Sequence, residues 1–408
     1  MNWPLVLPLS CICLLAQCSV VEYNLCMEYM DDLVHSSKLV QSIIGRHEKR
    51  RLKTGRGQDG RKYTFDVGKG TIDGVVLCRL YSTVAEFFER FNDKKYAFLL
   101  VLRSLEFQDK NVYMFLELLV YNILKRSNFR FEAVSKIPKK YKLESVGFQN
   151  TALYQFIFDQ SGLNYNDKRQ KFIEHYEKVR HINKRWYRTL LRREELDKDD
   201  TASQITTEIS CFLKNAGVLK HTTETTYNVV AELLSNTEHN DGDCLLDIDI
   251  CGEYLNLSFI NLFGGRMFDK LSMLHKSNNL TAGARDTINK ALIHHKNHFC
   301  NVYTEDDFYL VSAFQESVTT KSGLAGGTGL TKVINVIAEE AESAFSYVLS
   351  GNNVLLFQKG FLGDGSGTVG FNESNDYYND IPDKRILNRC SLYIPGVVFN
   401  LVFKFEVS

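Results

Sequence analysis

Residues 228–241 read NVVAELLSNTEHND, and the fold of the C-terminal half turns on this stretch. Val229, Val230, Leu233 and Leu234 recur at three- and four-residue intervals, the spacing of a helix buried along one stripe. The helix is expected to end near Asn240-Asp241-Gly242, a turn-forming run. Glu232 and Asn236 lie one turn apart and share a face. A carboxylate and a carboxamide so placed can hold a metal ion and polarise a water. The same spacing also describes an ordinary solvated helix surface.

Downstream, 244–250 and 254–261 have the apolar content of two strands joined by a short turn at 251–253. The second ends in NLFGG, with Asn261, Gly264 and Gly265. A polar side chain at a strand end followed by glycines can meet a flat ligand edge-on, or can simply form a turn. Residues 321–341 read KSGLAGGTGLTKVINVIAEEA. Gly323, Gly326, Gly327 and Gly329 precede an amphipathic helix carrying Val333, Ile334, Ile337 and Ala338. Clustered glycines let backbone amides converge on an anion, and the helix N-terminus adds positive potential. The order GxxxxGK[ST] is absent, and no apolar strand leads into the loop, so neither a Walker nor a dinucleotide loop is indicated. Gly365, Gly367 and Gly370 do spell GxGxxG, but FNESNDYYND follows instead of a helix, which points to a long hairpin loop.

Taken in order, the Glu/Asn helix, the strand ending in a polar residue and glycines, and GGTGL opening a helix resemble the GHKL (Bergerat-fold) ATPases over residues 201–408. ELLSNTEHN is similar to that family's ExxxN box, with His239 three residues past the Asn. GGTGL resembles its second glycine box, and Pro395-Gly396 followed by VVFNLVFKFEV resembles its closing strand. The resemblance implies an α/β sandwich, a mixed sheet covered by helices, holding ATP and Mg²⁺. Glu232 is then the general base or a residue polarising the γ-phosphate, and Asn236 coordinates the Mg²⁺ that bridges the phosphates. Asn261, Gly265, Gly323, Gly326, Gly327, Thr328, Gly329 and Leu330 line the nucleotide. Asn261 stands where the family has an Asp on adenine, and Phe263 where it has a glycine. Residues 266–321 become an enlarged lid. The implied function is a regulatory switch run by ATP binding and slow hydrolysis or phosphotransfer in signalling, stress or defence. An anti-sigma-type serine/threonine kinase and a non-catalytic nucleotide-sensing scaffold are the alternatives, and a protein partner or homodimer is expected with each.

The N-terminal half carries a second pattern. Residues 96–107 form an apolar run, Asp109 suits an N-cap, and Val112, Phe115, Leu116, Leu119, Val120, Ile123 and Leu124 follow at helical spacing. A strand at 129–134 would complete a strand–helix–strand crossover. LLVLRSLEFQDKNVYMFLELLVYNILKRSNFRFEAV resembles the core of STAS domains, which often carry a phosphorylatable Ser where the helix begins; here Asp109-Lys110-Asn111 offers no hydroxyl. Around it we expect a helix at 27–44, a basic glycine-rich loop at 46–62, strands at 63–67 and 71–80, and a short helix at 83–91. The charged stretch 139–200 suggests a connector helix at 174–195. The expected organisation is an extension over 1–50, a STAS-like α/β domain over 51–150, a helical connector over 151–200 and the nucleotide domain over 201–408.

Lys plus Arg and Asp plus Glu each number 49, so the net charge is zero, without the basic excess of a general nucleic-acid binder. Two local basic runs, 46–62 and 178–193 with Trp186 and Tyr187, are compatible with nucleic acid or with solvated faces. The ten Cys include no CxxC pair, and a chain this large needs no disulfide framework, so reduced thiols in the cytoplasm are expected. Residues 4–21 carry no charge, about the length of a signal or membrane span. No Lys or Arg precedes them, and a buried strand or an extension outside the core is the expectation, with no membrane association. His294, His295, His298 and Cys300 form a candidate zinc cluster because His at i and i+4 share a helix face, although a distant second ligand pair is missing. His47 beside Glu48 is a weak phosphoacceptor candidate in a basic loop.

Overall fold

The computed structural model describes residues 55–404 except 60, 92–95, 108, 127–129, 137–145, 160, 193, 195–199, 238–242, 262–264, 320–328, 341–345 and 364–366. The apolar run 4–21, the expected helix at 27–44 and His47 lie outside the described residues. The protein is mixed α/β. It divides into two compact units, one up to His181, the other from Ile182 to Arg389 and from Tyr393 on. The sequence had placed the start of the C-terminal domain at Thr201.

The first unit is built on a four-stranded sheet in the order β1 (Gly55–Asp59), β2 (Lys62–Asp66), β3 (Ala97–Leu102), β4 (Arg130–Ser135). β1 and β2 form an antiparallel hairpin, whereas β2, β3 and β4 are parallel. Parallel neighbours need crossovers, and these are α1 (Gly74–Arg90) and α2 (Lys110–Arg126). The α2 crossover follows the sequence reading, with Asp109 accepting from the Val112 amide at 3.2 Å. Two expectations change. β1 falls inside the stretch read as a loop. The strand expected at 71–80 is the first half of α1: the Asp73 carboxylate caps it by accepting from the Val76 amide at 2.9 Å. Val76, Leu77, Leu80, Tyr81, Val84 and Phe87 are then buried at helical intervals.

After α3 (Val146–Gln149), α4 (Ala152–Phe158) and α5 (Tyr165–Glu177), the expected connector helix is replaced by strands β5 (Arg180–Ile182) and β6 (Trp186–Leu191). Every residue of β6 is buried. Aromatic and β-branched side chains here outweigh the charge pattern. The basic run 178–193 therefore offers no Trp186–Arg188 surface to nucleic acid. Trp186 Nε1 and Arg188 Nε both donate to the buried Asp247 Oδ2, at 3.0 and 2.6 Å.

The second unit places β7 (Cys244–Cys251), β8 (Tyr254–Asn261), β9 (Tyr347–Leu356) and β10 (Leu387–Lys404) beside β6, in the sheet order β5-β6-β7-β8-β10-β9. Its pairings β6-β7, β7-β8, β8-β10 and β10-β9 are antiparallel, where a mixed sheet was expected. Locally the reason is the turn between β7 and β8, with Gly252 at φ 59°, since a tight turn can only return the chain antiparallel.

One face of this sheet carries the rows Tyr187–Ile248–Leu257–Leu401, Thr189–Leu246–Phe259–Phe399 and Leu191–Cys244–Asn261–Val397. Helices α6 (Thr201–Asn215) and α7 (Lys220–Thr237) cover it: Tyr187 meets Phe212 at 5.8 Å between ring centroids, and the Cys244 thiol hydrogen-bonds Thr237. Between β8 and β9 come α8 (Asp269–Lys276), α9 (Ala282–His295), α10 (Glu305–Ser312) and α11 (Gly329–Glu340), the last packed against α7. The stretch predicted as a lid is thus largely helical, and Asp307 of α10 ties it to β9 and β10 by bonding Asn353 and Arg389. Among the described residues no helix is long and apolar enough to cross a membrane.

Candidate functional site

α7 delivers the Glu/Asn pair as the periodicity predicts. Val229, Val230, Leu233 and Leu234 are at most 1 % exposed, while Glu232 and Asn236 are half-buried at the margin of that stripe. The Nδ2 of Asn236 is itself buried and has no hydrogen-bond partner among the described residues. Such an orphaned donor costs roughly 1–3 kcal/mol, so a site that keeps one invites a ligand explanation.

The next residue fixes where Asn236 lies. Thr237 hydrogen-bonds the buried Cys244 thiol, whose pKa burial pushes up to about 12. Cys244 is in register with Asn261, and Asn261 with Val397. Asn261 is 1 % exposed and closes β8 on the helix-covered face. The C-terminal end of α7 and the end of β8 therefore meet at one edge of the sheet.

α11 packs against α7 and, through Phe314, reaches the helix-covered face of the sheet. Thr331 Oγ1 donates to the Phe314 carbonyl at 3.0 Å. The Phe314 ring lies 6.5 Å from that of Phe399, two residues along β10 from Val397 on the same face. Gly329 is the first residue of α11, and Leu330 is half-buried beside it. The first turn holds no acidic side chain, so nothing there opposes the positive end of the helix. The structure thus brings the C-terminal end of α7, which carries Asn236, to the end of β8 at Asn261, and packs α11, which opens at Gly329 and Leu330, against α7. Gly265 follows β8, exposed, with φ 77°; this left-handed backbone, which glycine adopts without strain, turns the chain into α8. Gly323, Gly326, Gly327 and Thr328 lie outside the described residues, as do His239, Phe263 and Gly264.

One polar residue escaped the sequence reading. Asn335 interrupts the apolar run VINVI of α11, and its Oδ1 is buried without a hydrogen-bond partner among the described residues. The signal was present: an amide inside the apolar run of an amphipathic helix.

The other candidates have structural explanations. His295 is fully buried. Its Nε2 lies 2.8 Å from the Tyr377 carbonyl and must carry the proton, because a carbonyl only accepts. Nδ1 then accepts from the Tyr303 hydroxyl at 2.5 Å. With both nitrogens engaged, His295 has no lone pair for zinc, and the predicted His294/His295/His298/Cys300 cluster is not a metal centre. Among the described residues no group of three or more His, Cys, Asp or Glu is placed to hold a metal. Of the GxGxxG glycines, Gly367 and Gly370 lie in the connection between β9 and β10, while Gly365 lies outside the described residues. A Cβ on Gly370 would lie 2.5 Å from the Asp376 amide nitrogen. Asn372 knits the loop, its Nδ2 donating to the carbonyls of Gly370, Asp376 and Asp380 at 2.9–3.0 Å.

Comparison with family models, with curated proteins and with solved structures finds no match for this chain. The site rests on its own geometry.

Proposed function

We propose that the second unit is an ATP-binding domain of the GHKL (Bergerat) type, using ATP binding and slow hydrolysis or phosphotransfer as a regulatory switch. The observation that carries this reading is the orphaned Asn236 amide at the end of α7, where that helix meets the end of β8 at Asn261. An amide with an unused polar end at a sheet edge fits a metal–phosphate group, so the residues present are compatible with Mg²⁺ held through ATP.

In this reading Asn236 turns Oδ1 to the metal. Mg²⁺, when bound, neutralises phosphate charge. Glu232, one turn earlier on the same face, orients or deprotonates the attacking water. Asn261 accepts from the adenine amino group with its carboxamide oxygen. The glycines at 323, 326, 327 and 329, with Thr328 and Leu330, offer backbone amides to the phosphates. The first unit, with its parallel β2-α1-β3-α2-β4 core, serves as a STAS-like module whose α2 begins Asp109-Lys110-Asn111 without a phosphoaccepting hydroxyl. A cytoplasmic location and a protein partner or second copy as recipient of the signal accord with this role. One observation favours a second reading, a nucleotide-sensing scaffold without turnover: Asn261 occupies the position where the family has a carboxylate.

Calorimetric titration with ATP, ADP and GTP, with and without Mg²⁺, followed by a phosphate-release assay, tests both. Mg-dependent ATP binding is expected. Absence of binding by any nucleotide would eliminate the proposal, and binding without phosphate release would select the scaffold.

A further inference from the structure

A cleft in the first unit runs between α4 and α5. Its floor is apolar: Ala152 and Phe172 are buried, Phe156 is half-buried, and the rings of Phe156 and Phe172 meet edge-on, 5.6 Å apart at 83°. Its rim is cationic. Lys168 and Lys171 line the cleft three residues apart on α5, so they are neighbours on that helix. Phe172 follows Lys168 by four residues and lies on the same face. The cleft holds about 230 Å³ of empty space, part of it open to solvent, and its enclosed part has room for one water-sized group.

The remaining wall is formed by Gln155 and Asp159. The Asp159 carboxylate is engaged by Ser161, accepting from its amide at 2.9 Å and its hydroxyl at 2.8 Å. Two lysines against this one carboxylate leave the lining with one net positive charge. Lys168 donates to the Asp159 carbonyl at 3.4 Å, which uses one of its three N–H groups. Lys171 is exposed and has no ion-pair partner among the described residues.

We propose that this cleft binds a small aromatic monocarboxylate, with its ring on the Phe156–Phe172 floor and its carboxylate between the Lys168 and Lys171 ammonium groups. A third ring extends an edge-to-face aromatic pair without disturbing its geometry. An ammonium–carboxylate contact is a charge-assisted hydrogen bond. An inorganic anion would leave the floor facing water, and a neutral hydrocarbon would leave the lysines unanswered. The space falls below the roughly 300–1,000 Å³ of sites that enclose drug-sized ligands, which selects a fragment-sized acid over a nucleotide or cofactor. Because both helices line the cleft, the bound acid ties α4 to α5. The inference stands apart from the nucleotide reading, which concerns the second unit.

The test uses the full chain carrying isotope-labelled alanine methyl groups, with hydrocinnamate as the probe and hydrocinnamamide as its uncharged counterpart. The Ala152 methyl reports occupancy of the floor, and its signal is identified by its absence in Ala152→Gly. Hydrocinnamate should shift this signal saturably at roughly millimolar concentration, the affinity of a ligand of this size. The amide should bind about tenfold more weakly or worse, the scale of losing one charged hydrogen bond. The Lys168→Glu/Lys171→Glu chain, its fold checked by circular dichroism, should show the same loss for the acid. Lys168→Arg/Lys171→Arg keeps both charges and should retain binding. An Ala152 signal unmoved by hydrocinnamate, equal affinity for acid and amide, or undiminished binding in the folded Lys168→Glu/Lys171→Glu chain would each overturn the inference.

Discussion

Asp307 and Arg389 form a two-pronged ion pair, each carboxylate oxygen accepting from its own guanidinium nitrogen, with Asp307 fully buried. The same carboxylate accepts from Asn353 Nδ2 at 2.7 Å and from the Thr304 amide at 2.8 Å, where it completes the capping box of α10. This one side chain fastens the helical stretch after β8 to the last two strands. Asp307 is buried whereas Arg389 keeps 23 % of its side chain exposed, so removing the carboxylate leaves the Asn353 and Thr304 donors unmatched and Arg389 partly compensated by water. Asp307→Ala is expected to lose about 2–4 kcal/mol in urea denaturation. A loss below about 1 kcal/mol, the range of exposed pairs, would show that this pair does not anchor the helices.

Glu232 and Asn236 share a helix face but have separate tasks. Asn236→Ala should abolish the Mg²⁺-dependent part of ATP binding. Glu232→Ala should retain binding and lose about 10²–10⁴ in turnover, the contribution of a general base. Circular dichroism guards against a folding artefact, because the neighbouring Leu233 and Leu234 are core residues. Full turnover in Glu232→Ala would remove it as the base.

The loop glycines of the GxGxxG run are expected to matter for stability alone. A methyl group at Gly370 would press on backbone, not on a flexible side chain. Gly370→Ala should cost about 1–3 kcal/mol, as overpacking does, with ATP affinity unchanged. A specific loss of nucleotide binding in a fully stable variant would contradict the hairpin-loop reading.

His295 predicts a pH dependence with a definite sign. Burial holds its pKa below the ordinary 6.5; the charges of His294 and His298 lower it further, while the Tyr377 carbonyl and Asp376 oppose the shift. A depressed folded-state pKa means that the unfolded chain takes up the proton first as the pH falls. The stabilising contribution of neutral His295 is therefore complete above about pH 6.5 and declines below it, toward the folded-state pKa. Urea midpoints measured from pH 8 to 5 should fall more steeply for wild type than for His295→Gln. Parallel slopes for the two proteins would show that this imidazole does not couple to folding.

The sequence was most legible where a periodic apolar stripe ran long enough to choose one structure. Asp109 with Val112 to Leu124 identified α2 because that stripe spans more than three turns, and Val229, Val230, Leu233 and Leu234 identified α7 by their three- and four-residue intervals. TIDGVVLCRL misled, since a short β-branched run fits strand and helix alike; the decisive group, the Asp73 cap, lies at its edge. Trp186–Leu191 was hidden by surrounding lysines and arginines, whose charge says little about the strand they flank. The zinc reading failed for a different reason. The His295 partners Tyr303 and Tyr377 settle its role, and Tyr377 lies 82 residues away, beyond the reach of any local motif. At the candidate site, Glu232, Asn236 and Asn261 could be named from spacing, whereas the burial of the unbonded Asn236 and Asn335 amide atoms is set by packing that no local motif encodes.

The position of β10 has a consequence for synthesis. It lies between β8 and β9 in the sheet yet follows both in the chain, with Asn261 paired to Val397 and Ser350 to the same residue on the other side. While the polypeptide emerges from the ribosome, β8 and β9 each wait with an open edge until residues 387–404 appear. Nascent chains halted in that interval expose one open edge of β8 and an unpaired β9, an arrangement prone to pairing with a neighbour. Completion of the sheet is a late, all-at-once insertion, and truncation just before Val397 should yield aggregates, not a smaller folded domain.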